Sequence, residues 1–457
     1  MRRATKLYFK RNVRRLVLAI LIPVLLLFAL RLIWGYQADR QFAATRAALI
    51  ARGILFQPDR SAVPDDDNAA LGVMNGLRYI QLTPGEKELV EGGSLSYFNL
   101  VDRIRTDEEK RELRGILAKN ASVIAFLRVA VARKHVQWPN ADDAISHRDF
   151  VNMFNLLCNA ALLAHDARDD AAALDDLRLI LALADVADQA PDMLAHITAA
   201  EGRHMAALAV ERLVPEFDLV SQPAAMEAAV RLLRELQPSQ HYLDAPARNW
   251  GAQIDVLANR ERWSEEAALH GWWLQPRITN EMTRIMNKMA AAVIALRADN
   301  YQSYSALIPP KSPDYPSPLH KSVFSISDHF DARVWHLMAW HHFGSLSDSA
   351  AASLLLASRI FEARHSYAPR ESRELVPEIL SAVPVDPYSG DHRPMRFRLD
   401  PDGPTVWSVG ENGTDEGGAM TTEPLNFRRK RRYYSTTDIV YGAAWRKATA
   451  PAATHAH

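Results

Sequence analysis

The sequence predicts a mainly α-helical protein with an N-terminal transmembrane helix, a multi-helix bundle or short α-solenoid, and a small C-terminal antiparallel β module. Three observations lead to this fold class. An apolar run near the N-terminus is long enough to cross a bilayer, and apolar residues then recur at three- and four-residue steps over most of the chain. Beyond Pro384, short alternating runs bounded by proline and glycine replace the long helical stripes.

The N-terminal segment combines a basic flank with an apolar run. Seven basic residues lie within 1–15, and the apolar run at 16–36 carries a single charge, Arg31, whose side chain can snorkel toward the interface. At roughly 1.5 Å per residue the run is about 31 Å long, enough to cross the bilayer core. No small-x-small cleavage motif follows, so we expect an uncleaved signal anchor rather than a cleaved signal peptide. The basic flank predicts a single-pass protein of the bacterial inner membrane, with a cytoplasmic N-terminus and a periplasmic or otherwise exported main domain.

Composition narrows the set of partners. The chain balances 54 basic against 54 acidic residues, and without the seven basic residues of the flank it has 47 against 54. This acidic excess argues against nucleic-acid binding through net charge. We therefore expect the lipid bilayer and a protein of the cell envelope as partners, and no nucleic acid. The single cysteine, Cys158, excludes an intrachain disulfide and is expected to be a buried small hydrophobe.

Changes in composition along the chain mark its domain boundaries. Five prolines between 309 and 318 form the clearest connector after the membrane helix. The predicted parts are a basic cytoplasmic tail at 1–15, a transmembrane helix at 16–36, an exported helical domain at 37–308, a Pro-rich connector at 309–320, a helical pair at 321–380, a β module at 381–445 and a disordered tail at 446–457.

The helical domain shows several apolar stripes. Three aspartates and an asparagine at 65–68 suit the N-cap and first turn of a helix at 69–80, and a cation bound by the aspartates is the alternative interpretation. Further helices are predicted near 150–164, 174–184, from Pro191 onward, at 222–237, 279–296, 328–343 and 347–365. Helices of this length joined by short polar turns pack as antiparallel neighbours.

The C-terminal segment follows a recognisable order. Strands are predicted at 395–399, 405–409 and 438–441, with the hexapeptide VDPYSG at 385–390 and the loop WSVGENGTDEGG at 407–418 between and around them. Over roughly residues 350–441, about a fifth of the chain, this order resembles the C-terminal half of the major pseudopilin of type II secretion. A similar ending occurs in uncharacterised membrane-anchored bacterial envelope proteins, with which this chain is expected to belong. It is not expected to be a pseudopilin, because its membrane helix lacks an acidic residue and a long helical body follows.

The resemblance implies a calcium site. In pseudopilins the C-terminal loop binds calcium, which corresponds here to Asn412, Asp415 and Asp438, helped by backbone carbonyls. Oxygen ligands at short loop spacing are those that a hard cation takes. The alternative is a loop held by Asx hydrogen bonds alone, since five basic residues at 428–432 oppose a bound cation.

A group of histidines is the best enzymatic candidate: His329, His336, His341, His342 and His365. His329 and His336 are two helical turns apart, and His341 follows within a turn and a half. Imidazoles on one helix face are typical zinc ligands, so the group predicts a metal-dependent envelope hydrolase. The HExxH pattern is absent, and neighbouring tryptophans favour aromatic–histidine packing as the alternative. Glu201 and His204 form a further acid–base candidate, with simple ion pairing as its alternative.

The leading hypothesis for function is non-enzymatic. The chain lacks a nucleophile elbow, a P-loop and a dinucleotide fingerprint, and it is dominated by long helical faces. We therefore expect a membrane-anchored envelope scaffold or interaction protein, without cofactors apart from a possible calcium ion. The metal-dependent hydrolase and a calcium-stabilised binding module are the alternatives.

Overall fold

The computed structural model describes two compact units. The described residues are 2–54, 63–91, 105–138, 146–190, 193–240, 242–244, 271–297, 300–307, 332–418 and 437–443. The first unit comprises 1–57 and 251–291, and the second comprises 58–250 and 292–457. The predicted connector at 309–320 and the predicted tail at 446–457 lie outside the described residues.

A single long helix dominates the first unit. Helix α1 (Arg2–Ala51) is continuous through Pro23, and Val17–Ala51 is apolar enough and long enough to span a membrane, with a mean hydropathy of 2.7 in its most apolar window. The apolar side chains of this window are exposed; Leu25, for example, is 57% exposed. An exposed apolar surface of this length fits hydrocarbon rather than water as the surrounding medium. The predicted long apolar helix near the N-terminus is confirmed, and its insertion in a membrane stays a prediction.

In its second half, helix α1 has one buried face. Arg31, Ala38, Phe42 and Leu49 are buried and recur at steps of seven and four, the spacing of a helix–helix seam. Helix α9 (Gly271–Leu296) runs alongside in this unit.

Two contacts show the direction of α9. A Cβ atom placed on Gly35 of α1 would lie 3.8 Å from Cγ of Pro276. Six residues further along α1, Gln41 shares a groove with residues 280–291 of α9. Residue numbers rise together on the two helices, so the part of α9 in this unit runs parallel to α1.

The second unit contains the helical body. Its helices are α2 (Ala69–Leu77), α3 (Pro84–Val90), α4 (Asp107–Val131), α5 (His147–Asp166), α6 (Asp170–Asp188), α7 (Met193–Leu213), α8 (Pro223–Leu236), α10 (Tyr301–Leu307) and α11 (Ala332–His365). Helix α7 packs against α5, α6 and α11, while α6 also packs against α8. Contacts between helices this far apart in sequence are those of a bundle; in a solenoid, each repeat contacts only its neighbours.

Side-chain caps fix the starts of these helices. Asn68 is the N-cap of α2, and its side chain accepts a hydrogen bond from the backbone N–H of Ala70 at 3.1 Å. The aspartates before it form the short 3-10 turn Asp65–Asp67. Capping boxes at Thr83 and Thr106 start α3 and α4. The predicted capping role of 65–68 is confirmed for Asn68.

Helix α11 corrects one prediction. The two helices expected at 328–343 and 347–365 are one helix from Ala332–His365, so the break predicted around Gly344 is wrong. Serines remain compatible with the helix because their hydroxyls donate to backbone carbonyls one turn earlier, as Ser353 does to Ser349 at 2.7 Å. Small side chains in this stretch also let α7 and α8 pack against it.

The β module is the three-stranded antiparallel sheet that the sequence predicts. Strands β1 (Arg396–Asp400), β2 (Gly403–Ser408) and β3 (Ile439–Gly442) are ordered β1-β2-β3. Val406 lies opposite Phe397 on one side and Tyr441 on the other. Strand β2 packs against α11 and β3 contacts α7, so the sheet is attached to the bundle through the same two helices that form its centre.

Candidate functional site

Asp386 is the centre of the C-terminal module. Its fully buried carboxylate accepts hydrogen bonds from the hydroxyl of Ser408 at 2.6 Å and from the backbone N–H groups of Tyr388 and Val409, each at 3.0 Å. The guanidinium of Arg396 completes the set as an ion pair. Burial raises the pKa of Asp386, and these donors oppose that rise. One side chain thus joins the turn at 386–390 to both β1 and the end of β2.

Glu416 closes the loop after β2. Its carboxylate accepts hydrogen bonds from the side-chain amide of Asn412 at 2.6 Å and from the backbone N–H of Asp438 at 3.1 Å. Asn412 forms an Asx turn by accepting from the N–H of Thr414 at 2.9 Å, while Asp438 accepts from the N–H of Gly418 at 2.7 Å. Burial, reinforced by the neighbouring Glu416, raises the pKa of Asp438 to about 7.

The carboxylate of Asp415 faces a different set of groups. It accepts hydrogen bonds from the indole N–H of Trp407 at 2.9 Å and from the backbone N–H of Gly417 at 3.0 Å, and it lies 3.2 Å from Nε of Arg396. These donors hold the pKa of Asp415 below its usual value against the opposing effect of burial.

The three predicted calcium ligands therefore lie on one loop in two groups. Asn412 and Asp438 both contact Glu416, and Asp415 contacts cationic and indole donors instead. Within the described part of the chain, no group of three His, Cys, Asp or Glu side chains is placed to hold a metal ion. Calcium binding through amide and backbone oxygens stays a prediction. Sequence reasoning did not single out Glu416, although it lies within the loop motif.

The predicted zinc group is only partly described. His329 lies outside the described residues, and so does the side chain of His336, whose backbone belongs to α11. The half-buried ring of His341 lies edge-on to Trp340, with 4.9 Å between ring centroids. The zinc site stays a prediction, and His341 shows the aromatic packing that was its alternative.

A different histidine pair lies sealed inside the bundle. His196 of α7 and His342 of α11 are 0% and 2% exposed, and Nε2 of the first lies 3.2 Å from Nδ1 of the second. The other ring nitrogen of His196, Nδ1, lies 2.7 Å from the carboxylate of Asp188 at the end of α6. Three helices thus meet at an Asp–His–His chain; the sequence singled out His342 as a candidate metal ligand but did not reveal its pairing with His196 and Asp188.

Protonation in this chain follows from the hydrogen bonds. With an ionised Asp188 as acceptor, His196 carries its proton on Nδ1 and presents Nε2 as an acceptor, so Nδ1 of His342 donates. Burial, followed by the neighbouring His196, lowers the pKa of His342 well below its ordinary value. The folded bundle therefore holds His342 neutral.

Tyr242 lines one side of the histidine pair. Its ring stacks on His342 at 5.7 Å between centroids, and its hydroxyl is hydrogen-bonded to Ser345. The guanidinium of Arg203 lies 4.5 Å from the centre of the tyrosine ring and pairs with Asp185. Burial raises the pKa of Tyr242 above its ordinary value, so the phenol stays protonated.

The acid–base candidates of α7 have structural partners. Nδ1 of His204 lies 2.6 Å from the carboxylate of Asp348 on α11, and both residues are buried. Glu201 lies 3.4 Å from Nε2 of His147 on α5.

Burial raises the pKa of the Cys158 thiol far above its ordinary value, which fits the prediction that this cysteine is an unreactive small hydrophobe.

These contacts form a continuous set of buried polar pairs, which we call the polar seam. It comprises His196, His204 and Glu211 of α7, the residues His342, Ser347 and Asp348 of α11, and the β3 residues Tyr441 and Gly442. Its residues are buried, so a substrate in solvent has no access to them in the folded state. The seam can hold helices in register and respond to protons, and that is the chemistry its geometry supports.

Comparisons with known proteins do not assign this chain to a family. Neither protein-family models, nor curated proteins, nor solved structures gave a match to this chain.

The first prediction concerns Asp386. Replacing it with alanine leaves two buried backbone N–H groups and the Ser408 hydroxyl without their acceptor, and it removes one of the two carboxylates that pair with Arg396. The free energy of unfolding should fall by about 3 to 5 kcal/mol. Thermal or urea unfolding of the detergent-solubilised protein measures this loss. Asp391→Ala, which removes an exposed aspartate of the same turn, should cost less than about 1 kcal/mol. Equal losses for the two variants would show that Asp386 does not organise the module.

The second prediction concerns pH. A histidine whose pKa is lowered by folding takes up its proton more readily in the unfolded chain, so its contribution to stability falls as the pH drops below about 6.5. His342→Phe keeps a ring against Tyr242 but removes the titration. The wild-type protein should therefore lose up to about 1.4 kcal/mol per pH unit more than this variant between pH 6.5 and 5. Ser345→Ala keeps the histidine and should keep the wild-type slope; identical slopes for wild type and His342→Phe would refute the assignment.

Proposed function

We propose that the protein is a membrane-anchored scaffold or interaction subunit of the bacterial cell envelope. Helix α1 holds it in the inner membrane with the basic N-terminus in the cytoplasm and the helical body outside. The observation that carries the proposal is the surface of α1, where the large apolar side chains between 17 and 36 are exposed within the candidate span Val17–Ala51. Seven basic residues precede that span, which supports the orientation.

A non-enzymatic role is supported by the way the polar groups are used. His196, His342 and Asp348 are buried in contacts between helices, and the carboxylate of Asp386 is bound by four donors of its own module. These are arrangements that hold a rigid body together. The resemblance of 350–441 to the major pseudopilin supports a connection with a secretion or surface assembly.

Membrane anchoring has a direct test on α1. Wild-type protein should stay in the membrane fraction after alkaline carbonate extraction. The double variant Leu25→Arg with Leu26→Arg should be released, because each arginine at the helix centre costs about 2.5 to 3.5 kcal/mol of insertion free energy. Ile50→Arg adds a cation to the same helix beyond the apolar run and should leave the protein bound. Release of the wild-type protein by carbonate would contradict the anchor.

Orientation and partners are tested in the same preparation. Protease added to spheroplasts should digest the helical body, and mild detergent extraction followed by affinity capture should recover a stable envelope protein. A protected body would reverse the orientation, and repeated capture of the chain alone would count against the scaffold role.

A calcium-stabilised loop is the second candidate. Its support is Asp438, whose Oδ1 is buried and has no hydrogen-bond partner among the residues that the structure describes, while the carboxylate of Glu416 lies beside it. Two neighbouring carboxylates are stable together only with a shared proton or a cation between their charges. Asn412 and the loop carbonyls would supply the remaining oxygen ligands.

Melting temperatures decide between a proton and a cation. Calcium, but not an equal concentration of magnesium, should raise the melting temperature of the full-length protein by several degrees, since a ligand that binds only the folded state stabilises it. Asp438→Asn should abolish that rise, whereas Asp402→Asn in the β1–β2 turn should retain it. A calcium response that persists in Asp438→Asn, or is missing in the wild type, rejects the site.

A further inference from the structure

Strand β1 is an edge strand of the three-stranded sheet. In the order β1-β2-β3, one side of β1 pairs with β2, and in the described part of the chain no strand pairs with its other side. An edge of this kind presents a row of backbone N–H and C=O groups that can pair with another chain. The outer side of β1 is therefore a candidate binding surface.

The register shows which backbone groups of β1 point outward. A two-residue turn at 401–402 joins the closing pair Asp400 and Gly403, so Asp400 and every second residue before it bond to β2. The N–H and C=O groups of Phe397 and Leu399 therefore point away from β2. No other residue that the structure describes forms a hydrogen bond with the backbone of either one.

The same edge is already paired just before β1 begins. Met395 lies two residues before Phe397, and its N–H donates to the carbonyl of Pro384 at 2.9 Å. The carbonyl of Arg393, two residues earlier again, accepts from the N–H of Asp386 at 2.9 Å. These bonds form a short antiparallel ladder on the outer edge. An added strand would continue that ladder over the two outward positions of β1.

The segment that packs against β1 from outside the sheet does not pair with it. This segment is the 3-10 turn Ser372–Leu375. Its backbone bonds stay within the turn, as in the 3.1 Å bond from the N–H of Glu374 to the carbonyl of Glu371. Within the described residues, main-chain pairing is thus the interaction that β1 lacks on its outer side.

Arg398 selects the kind of strand that fits this edge. Its guanidinium lies 5.3 Å from the centre of the Trp407 ring, and its Nε lies 2.7 Å from the carboxylate of Asp400. A second copy of this chain, paired through the two outward positions, would set Arg398 directly opposite the same residue of the other copy. Like charges directly opposite each other destabilise a strand pair, whereas an opposite charge stabilises it. The edge therefore fits a different protein with an acidic residue at that position.

We propose that the outer edge of β1 binds an extended segment of a partner protein as a fourth antiparallel strand, with an acidic residue of that segment opposite Arg398. The backbone groups of Phe397 and Leu399 supply the main-chain hydrogen bonds, and the acidic residue supplies selectivity. The proposal rests on the interaction role proposed above, and it names the surface and the kind of partner.

Hydrogen exchange with a defined peptide is the test. The probe is a short synthetic peptide of alternating valine and threonine with one central glutamate, added to the full-length protein in detergent. The amides of Phe397 and Leu399 should exchange fast in the free protein and at least about tenfold more slowly with the peptide bound. The same peptide with lysine in place of glutamate should bind about tenfold more weakly, because its cation lies opposite Arg398.

Main-chain pairing is tested on the unchanged protein with N-methylated peptides. Methyl groups on alternate residues remove the N–H groups from one edge of the peptide only. One methylation pattern should therefore abolish binding, and the other should keep it.

Three variants locate the binding on β1. Leu399→Pro removes an N–H that β2 does not use, so the sheet should keep its fold while peptide binding falls about tenfold or more. Arg398→Glu should reverse the preference and favour the lysine peptide. Arg393→Glu makes the same charge change at an exposed position just before β1 and should keep the preference for glutamate. Melting temperatures confirm that each variant is folded.

Several results would overturn the edge site. These are unchanged exchange at Phe397 and Leu399 with the peptide, equal binding of both methylation patterns, or an unchanged charge preference in Arg398→Glu. Slow exchange that increases with protein concentration and needs no peptide would identify a second copy as the occupant and overturn the partner assignment.

Affinity capture separates this proposal from the scaffold role. Capture of the same envelope protein by wild type and by Leu399→Pro would overturn the edge as the partner's surface and leave the scaffold role standing. Peptide binding by a wild-type protein that captures no partner would support the edge and count against the scaffold role alone.

Discussion

The pairing of buried polar groups between α7, α11 and β3 is the constraint on which the second unit depends. His196, His204 and Glu211 occupy one side of α7 and meet, in order, a histidine and an aspartate of α11 and the backbone of β3. A slide of either helix by one turn would strand several of these groups at once, and each stranded group costs about 1 to 3 kcal/mol. Apolar packing alone tolerates such slides better, so the polar seam selects one register among several that the alanine-rich faces allow.

The same constraint explains which parts of the structure could be predicted from the sequence and which could not. Apolar periodicity predicted α5, α6, α8 and the three strands, because burial of one face leaves a local repeat in the sequence. The partners in the seam are separated by 94 to 231 residues and leave no local pattern. Spacing on one helix therefore suggested that His341 shares a metal with its neighbours, whereas the adjacent His342 finds its partner on another helix. The predicted break in α11 failed for a related reason, since its small polar residues are placed there for close helix contacts.

In the C-terminal module, the short Asp-Pro turn also binds residues that are distant in the sequence. The Asp-Pro turn was predictable from its residues, and Asp386 does form that turn with the N–H of Tyr388. Its second carboxylate oxygen reaches across to Val409, and its charge holds Arg396 of β1. The backbone N–H of Tyr301 donates to the carbonyl of Pro387 at 2.8 Å, which attaches α10 to the same turn. The turn at 386–390 therefore organises the module, because β1, the end of β2 and the start of α10 are all bonded to it.

In the proposed membrane anchoring, helix α1 passes from hydrocarbon to water as one continuous backbone. Its apolar half needs no partners in hydrocarbon, and beyond Arg31 buried positions recur at helix-seam spacing. Arg31 lies at this change, and its guanidinium folds along the helix to Gly35, where a Cβ atom would approach Nη1 to 2.7 Å. The absence of a side chain at that glycine leaves room for the guanidinium of Arg31 along the helix. It also lets Pro276 of α9 come close, because small residues allow helices to approach each other. A single glycine thus serves both the position of the charge and the contact between the two helices.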